Sequence, residues 1–269
     1  MKLLTFAGIL VAFVLFLLLF QHKMIYFPRV YGTEPASLLR VREIVYEISA
    51  GRQTAFFVPP EQKEPAGLER LWVVFGGNAS LALDWHDFVM RYPDKNAGFL
   101  LIDYPGYGKC AGSASPDTIQ ESAEKAMRSL AHHLEIDHTA LCERLNILGH
   151  SLGAAAGLNL AAVCPVVKRI VLIAPFTTMR DMAVRSVGIP LNYLLMHNFD
   201  NRARLSELSS HKNPPRLTII HGDRDNVIPV KMGRKLAREF PGLVEYVEIQ
   251  NADHNGIIDG AEKQIFSAM

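Results

Sequence analysis

The chain is poor in cysteine, carries no surplus of either charge and contains no glycine-rich phosphate loop. Cys110, Cys142 and Cys164 are its 3 cysteines in 269 residues, and none stands in CxxC or Cys/His spacing. That excludes a disulfide-dense scaffold and a zinc-finger arrangement, and favours small buried apolar groups or free thiols. Lys plus Arg number 28 against 27 Asp plus Glu. With no basic block and no reading motif, a nucleic-acid partner is not expected. Neither GxGxxG nor GxxxxGKS/T occurs, and the histidines and acids show no metal-ligand spacing. No organic cofactor and no metal is therefore expected.

What is present begins with one long apolar run. Residues 3–20 read LLTFAGILVAFVLFLLLF, uncharged throughout. As a helix this run would be roughly 27 Å long, close to the thickness of a hydrocarbon core. The expectation is a transmembrane anchor over residues 1–23 and single-pass contact with a bilayer, with the side holding the rest of the chain undetermined. A cleaved signal is the alternative, although QHKMIYFPR offers no small-x-small site. Tyr26, Phe27, Lys23 and Arg29 suit an interfacial collar, or else packing on the following domain. Residues 24–40 read as a linker, centred on YGTEPAS.

From residue 41 to 269, strand and helix patterns alternate. VREIVYEI and QTAFFV form a hairpin pattern, and LWVVF, FLLID, LNILGH, VVKRIVLIAP, RLTIIHG and VEYVEIQ follow as strands. Several are continuously apolar, as in inner strands covered on both faces. Helices are expected at about 84–92, 117–134, 152–162 and 257–269, with another following Pro229 near its first turn. This order predicts an α/β fold: a mainly parallel central sheet flanked by helices, opened by an antiparallel hairpin. Residues 176–215 interrupt it between two strands and can form a small helical cap.

Gly149-His150-Ser151-Leu152-Gly153 lies between a strand and a helix, in the sharp turn that lifts a serine hydroxyl above a sheet. Ser151 is the candidate nucleophile, and a hydroxyl needs a base. His254, in the loop NADHNG after the final strand, is the candidate base. His150 is assigned to packing or hydrogen bonding, and His221 to structure. The acid that orients the base comes from HGDRDNVIP, where Asp225 lies farther into the loop and Asp223 is placed to fix the turn; the geometry leaves both open. The oxyanion donors are the backbone N–H groups of Leu152, at the helix start, and Asn78, in the loop after WVVF. Trp85, Phe176, Met179 and Phe199 are candidate substrate-binding residues, each with core packing as its alternative.

These segments resemble the α/β-hydrolase superfamily, within it the Bem46-like branch and related ABHD-type serine hydrolases. The resemblance runs from Tyr26 to the carboxyl terminus and rests on YFP, GGNAS, DYPGYGKCAGSAS, GHSLG, APF, HGDRDNVIP and NADHN. It implies Ser151 as nucleophile, Asp225 as acid and His254 as base. Gly76 stands where the family pattern carries histidine, and Pro105 where it carries arginine, so the support of the acyl pocket differs here. The function expected is membrane-anchored hydrolysis of carboxylic esters or thioesters of apolar, lipid-like acyl substrates. An amidase or peptidase using the same residues is one alternative. A catalytically silent interaction module is another.

Overall fold

The computed structural model describes residues 2–32, 40–61 and 67–269, without the side chains of residues 2–7 and 10. Residues 33–39 of the expected linker lie outside the described residues. Eight strands, β1 (Arg42–Ile48), β2 (Gly51–Val58), β3 (Arg70–Phe75), β4 (Ala97–Ile102), β5 (Leu145–His150), β6 (Arg169–Ile173), β7 (Arg216–Gly222) and β8 (Val244–Ile249), form one sheet. Their order is β1-β2-β4-β3-β5-β6-β7-β8. The β1–β2 hairpin and the β2–β4 pair are antiparallel, and every other neighbouring pair is parallel.

The inner strands are buried on both faces because their side chains alternate between two apolar layers. Leu71, Val73 and Phe75 of β3 enter one cluster, while Trp72 and Val74 enter the other. Burying each such side chain is worth roughly 1.5–3 kcal/mol. The first layer is covered by α3 (Pro116–His133) and α5 (Leu152–Val163). Ser115 caps α3, its Oγ accepting from Thr118 N at 3.1 Å, with Pro116 in the first turn. The small residues of α5 let it press against the sheet. The other layer holds α2 (His86–Met90) and the carboxyl-terminal helices α9 (Ile257–Gly260) and α10 (Glu262–Ala268). A 3₁₀ turn, Ala82–Trp85, opens what the pattern read as one helix from residue 84. The short α4 (His138–Cys142) was not expected; Asp137 caps it, accepting from Thr139 N at 2.8 Å. Between β6 and β7 come α6 (Met179–Val187), a 3₁₀ turn and α7 (Asn201–Ser209), and α8 (Val230–Glu239) precedes β8. All three cysteines are free and buried.

The single-pass membrane localisation expected from residues 3–20 is overturned. Among the described residues, no helix is long and apolar enough to cross a membrane. The amino-terminal helix is α1 (Lys2–Ile25), and its last turns carry the polar residues Gln21, His22 and Lys23. Leu17 and Gln21 are buried, and Gln21 Oε1 accepts from Met196 N at 2.8 Å. Of the residues expected in an interfacial collar, Tyr26 packs on the domain instead, buried beside His22 and His197, while Phe27 is exposed. Arg29 pairs with Asp84 at 2.9 Å.

Asp103, at the end of β4, pins three segments together. Its carboxylate accepts from Tyr31 Oη and from Ala82 N, both at 2.7 Å. Burial pushes its pKa up from 3.8 to about 6, against the lowering effect of those two bonds. An acid with a raised folded-state pKa holds its proton more tightly when folded. It therefore favours the fold most below pH 3.8, and that contribution is lost as pH rises through about 6. Asp103→Asn removes this dependence. Urea denaturation at stepped pH should show the variant gaining roughly 2–3 kcal/mol relative to the native chain between the two pKa values.

Candidate active site

The strand order reverses at β3, which has β4 on one side and β5 on the other. The loops leaving the carboxyl ends of β3 and β5 diverge there, and such a crevice is where α/β sheets bind ligands. Phe75 stands level with Gly149 in the register, so the Gly76–Ala79 loop and Ser151 meet across one gap.

Ser151 occupies the turn between β5 and α5 with φ 57 and ψ −116, an uncommon conformation for a non-glycine residue. Its N–H donates to Ile173 O at 2.9 Å, tying the turn to β6. The flanking glycines are required by close approach: a Cβ on Gly153 would strike the carbonyl oxygens of Phe75 and Gly76, and one on Gly149 would strike that of Gly153. The turn thus presents the hydroxyl toward the β3 loop.

His254 Nε2 lies 3.0 Å from Ser151 Oγ, and its Nδ1 lies 2.7 Å from Asp225 Oδ2. With the carboxylate accepting from Nδ1–H, Nε2 is left to accept the serine proton. Asp225 Oδ1 accepts from Val227 N at 2.9 Å and Ile228 N at 2.7 Å. Burial raises this carboxyl, but hydrogen bonds from His221 and His254 outweigh it and hold the group well below the usual carboxylate range. Asp223 faces elsewhere: its Oδ1 accepts from Asn251 N at 2.7 Å. Asp253 accepts from Asn255 N at 3.2 Å and Gly256 N at 2.7 Å, shaping the loop that carries His254. His150 donates from Nε2 to the His254 carbonyl at 2.9 Å. Burial, followed by the proximity of His254, pushes its pKa down to about 3. It is therefore a neutral strut. His221 donates to Ile228 O at 2.9 Å, behind Asp225.

The backbone N–H groups of Asn78 and Leu152 bond no other group among the described residues, and both residues line the cavity that contains Ser151. Sequence reasoning assigned Asn78 through its main chain and missed its side chain. Asn78 Oδ1 accepts from Tyr107 Oη at 2.7 Å and from Phe27 N at 3.1 Å, while Nδ2 donates to Ile25 O. Tyr104 Oη donates to Gly76 O at 2.5 Å. The two tyrosines of DYPGYG thus hold the β3 loop.

The cavity measures about 280 Å³ and is mostly apolar, with Phe176 and Met179 among its walls. Two expected substrate-binding residues require correction, since Trp85 and Phe199 do not line it. Trp85 is buried on the face of the sheet occupied by α2, its ring 5.5 Å from that of Phe88. Phe199 is buried in the opposite layer, and its carbonyl accepts from Met179 N at 2.8 Å. Gly76 has no room for a side chain, because an added Cβ would lie 2.8 Å from Ser80 Oγ and 3.0 Å from Trp85 Nε1. Trp85 fills the space in which the family resemblance places a histidine. Among the described residues, no cluster of three or more His, Cys, Asp or Glu is arranged to hold a metal.

Residues 72–214 match the model of the Alpha/beta hydrolase family. An uncharacterized protein of Mycobacterium tuberculosis is 26% identical over 245 residues, covering 89% of this chain and 83% of its own. The alpha/beta hydrolase domain-containing protein WAV2 of Arabidopsis thaliana is 30% identical over 200 residues, 70% of this chain and 61% of that one. An esterase of Pyrococcus furiosus has a similar structure, with TM-score 0.67 at 16% identity, over 90% of this chain and 93% of its own. At that identity the likeness is one of fold.

The closeness of the Ser151 turn to β3 carries a direct consequence. Gly153→Ala should destabilise the protein by about 1–3 kcal/mol or more, because its Cβ meets backbone that cannot rotate away. A lowered urea midpoint with an unchanged m-value would report this.

Proposed function

Because the chain belongs to the alpha/beta hydrolase family, we propose that it is a serine hydrolase that cleaves carboxylic ester or thioester bonds of apolar acyl substrates through an acyl-serine intermediate. The observation that carries this reading is the Ser151–His254–Asp225 chain, with contacts of 3.0 and 2.7 Å, opening into an apolar cavity of about 280 Å³. Similarity to an esterase fold supports the ester class. The GGNAS, DYPGYG and HGDRDNVIP segments support placement in the Bem46-like branch.

In this mechanism His254 Nε2 takes the Ser151 proton as Oγ attacks the acyl carbon. Asp225 holds the ring in its acceptor tautomer and stabilises the imidazolium. The carbonyl oxygen becomes an oxyanion facing the N–H groups of Asn78 and Leu152. One such donor is worth ~2.7–4 kcal/mol in related sites, and the α5 amino terminus adds favourable dipole field. Imidazolium then protonates the departing alcohol or thiol. Water, deprotonated by the same nitrogen, attacks the acyl-serine, and collapse of the second tetrahedral intermediate returns free Ser151 and the carboxylic acid. Residues 176–215 act as the cap over this chemistry, with Phe176 and Met179 contacting the acyl group.

Hydrolysis of matched oxygen-ester, thioester and amide substrates tests the reading. Ser151→Ala should lower ester or thioester kcat by ~10⁴-fold or more; equal turnover by both proteins would remove Ser151 from the mechanism. Asn78→Ala keeps the backbone donor but releases its loop. A fall in kcat of roughly 10–100-fold, with KM little changed, is expected, since misplaced donors cost transition-state rather than ground-state binding.

A further inference from the structure

We infer that the last two turns of α1 are a specificity wall of the acyl site, and that the site takes a straight acyl chain of medium length. The inference rests on the hydrolase reading above and adds to it the part of the chain that measures the substrate.

The cavity beside Ser151 runs between two helical faces. One is presented by α1: Leu17, Gln21, Met24 and Ile25 stand at i, i+4, i+7 and i+8, a single stripe. The other is presented by α6, through Met179, Met182 and Ser186. Eight helical residues rise about 12 Å, so the two stripes bound an elongated cleft. Its walls include Met24, Met179 and Met182, and methionine adapts to a mobile hydrocarbon.

Direction along the cleft follows from the contacts of the oxyanion loop. The Ile25 carbonyl accepts from Asn78 Nδ2, which places that end of the stripe at the reacting carbonyl. Leu17 then stands about 12 Å farther along the helix axis, where the tail of an acyl chain would reach. The wall is also fixed at intervals. Gln21 spends its amide on Met196 N, at 2.8 Å, and Leu18 O, at 3.2 Å. Tyr26 Oη lies 3.2 Å from His197 Nδ1. The other residues of the stripe, Leu17, Met24 and Ile25, are apolar and suit a hydrocarbon tail rather than a polar one. The opposite side of α1 leaves Leu15 and Leu19 exposed and has no part in the cleft.

The test measures kcat/KM for p-nitrophenyl acetate, butyrate, octanoate, laurate and palmitate with the full chain and its variants. Leu17→Trp fills the far end of the cleft and should lower the octanoate-to-acetate ratio by about tenfold, the scale on which a pocket senses one or two methylenes. Leu17→Ala opens it and should shift preference toward laurate and palmitate. Leu19→Ala, on the exposed face, should leave the profile in place. Should Leu17→Trp lose activity on every ester through misfolding, Leu17→Ala decides: a shift to longer chains upholds the wall. A profile unmoved by Leu17→Ala overturns the wall while Ser151-dependent turnover persists. Hydrolysis that survives Ser151→Ala, by contrast, would overturn the hydrolase reading beneath it.

Discussion

The close contact of the β5–Ser151–α5 turn with the end of β3 is the constraint on which the rest of the site depends. Backbone carbonyls of Phe75 and Gly76 lie where any side chain at position 153 would have to go. Only glycine at positions 149 and 153 lets the first turn of α5 settle against the neighbouring strand. That approach brings Leu152 and Asn78 to the same cavity, beside the unusual backbone of Ser151. The strain is local, while the restraint comes from the sheet, through Ile173 O.

Around that turn the groups are arranged so that, among the described residues, one imidazole, that of His254, lies within hydrogen-bonding distance of the serine hydroxyl. His150, next to it in sequence, is buried, neutral and committed to the His254 carbonyl. His221 supports the acid from behind through Ile228. Asp225 is held ionised by its hydrogen bonds. The three histidines therefore take different places: one lies between the serine and the acid, one braces the loop that carries it, and one backs the carboxylate.

Legibility in the sequence followed the length scale of the signal. β5 and β7 could be bounded to the residue because continuous apolar runs end at glycine or at the Gly-His-Ser turn. The separation of Ser151, HGDRDNVIP and NADHNG onto the ends of β5, β7 and β8 made the candidate site visible, while the choice of Asp225 over Asp223 came from the family resemblance, since two residues in one loop differ only in direction. Helix α4 escaped notice because five residues carry no period and its stability comes from the Asp137 cap. The apolar run at the start misled for a related reason: uniform hydrophobicity has no stripe, so nothing in it marked Leu17 and Gln21 as packing positions. Trp85 was drawn to the pocket by its closeness in sequence to the β3 loop, whereas the 3₁₀ turn carries it to the other face of the sheet.

The small volume above Gly76 is held in common by Ser80 and the indole of Trp85. Positions 76 and 85 are consequently not independent letters. A larger residue at the first is compatible with this backbone only if Ser80 and the indole both give way, so the glycine in GGNAS and the tryptophan nine residues later are parts of one solution to how this loop is filled.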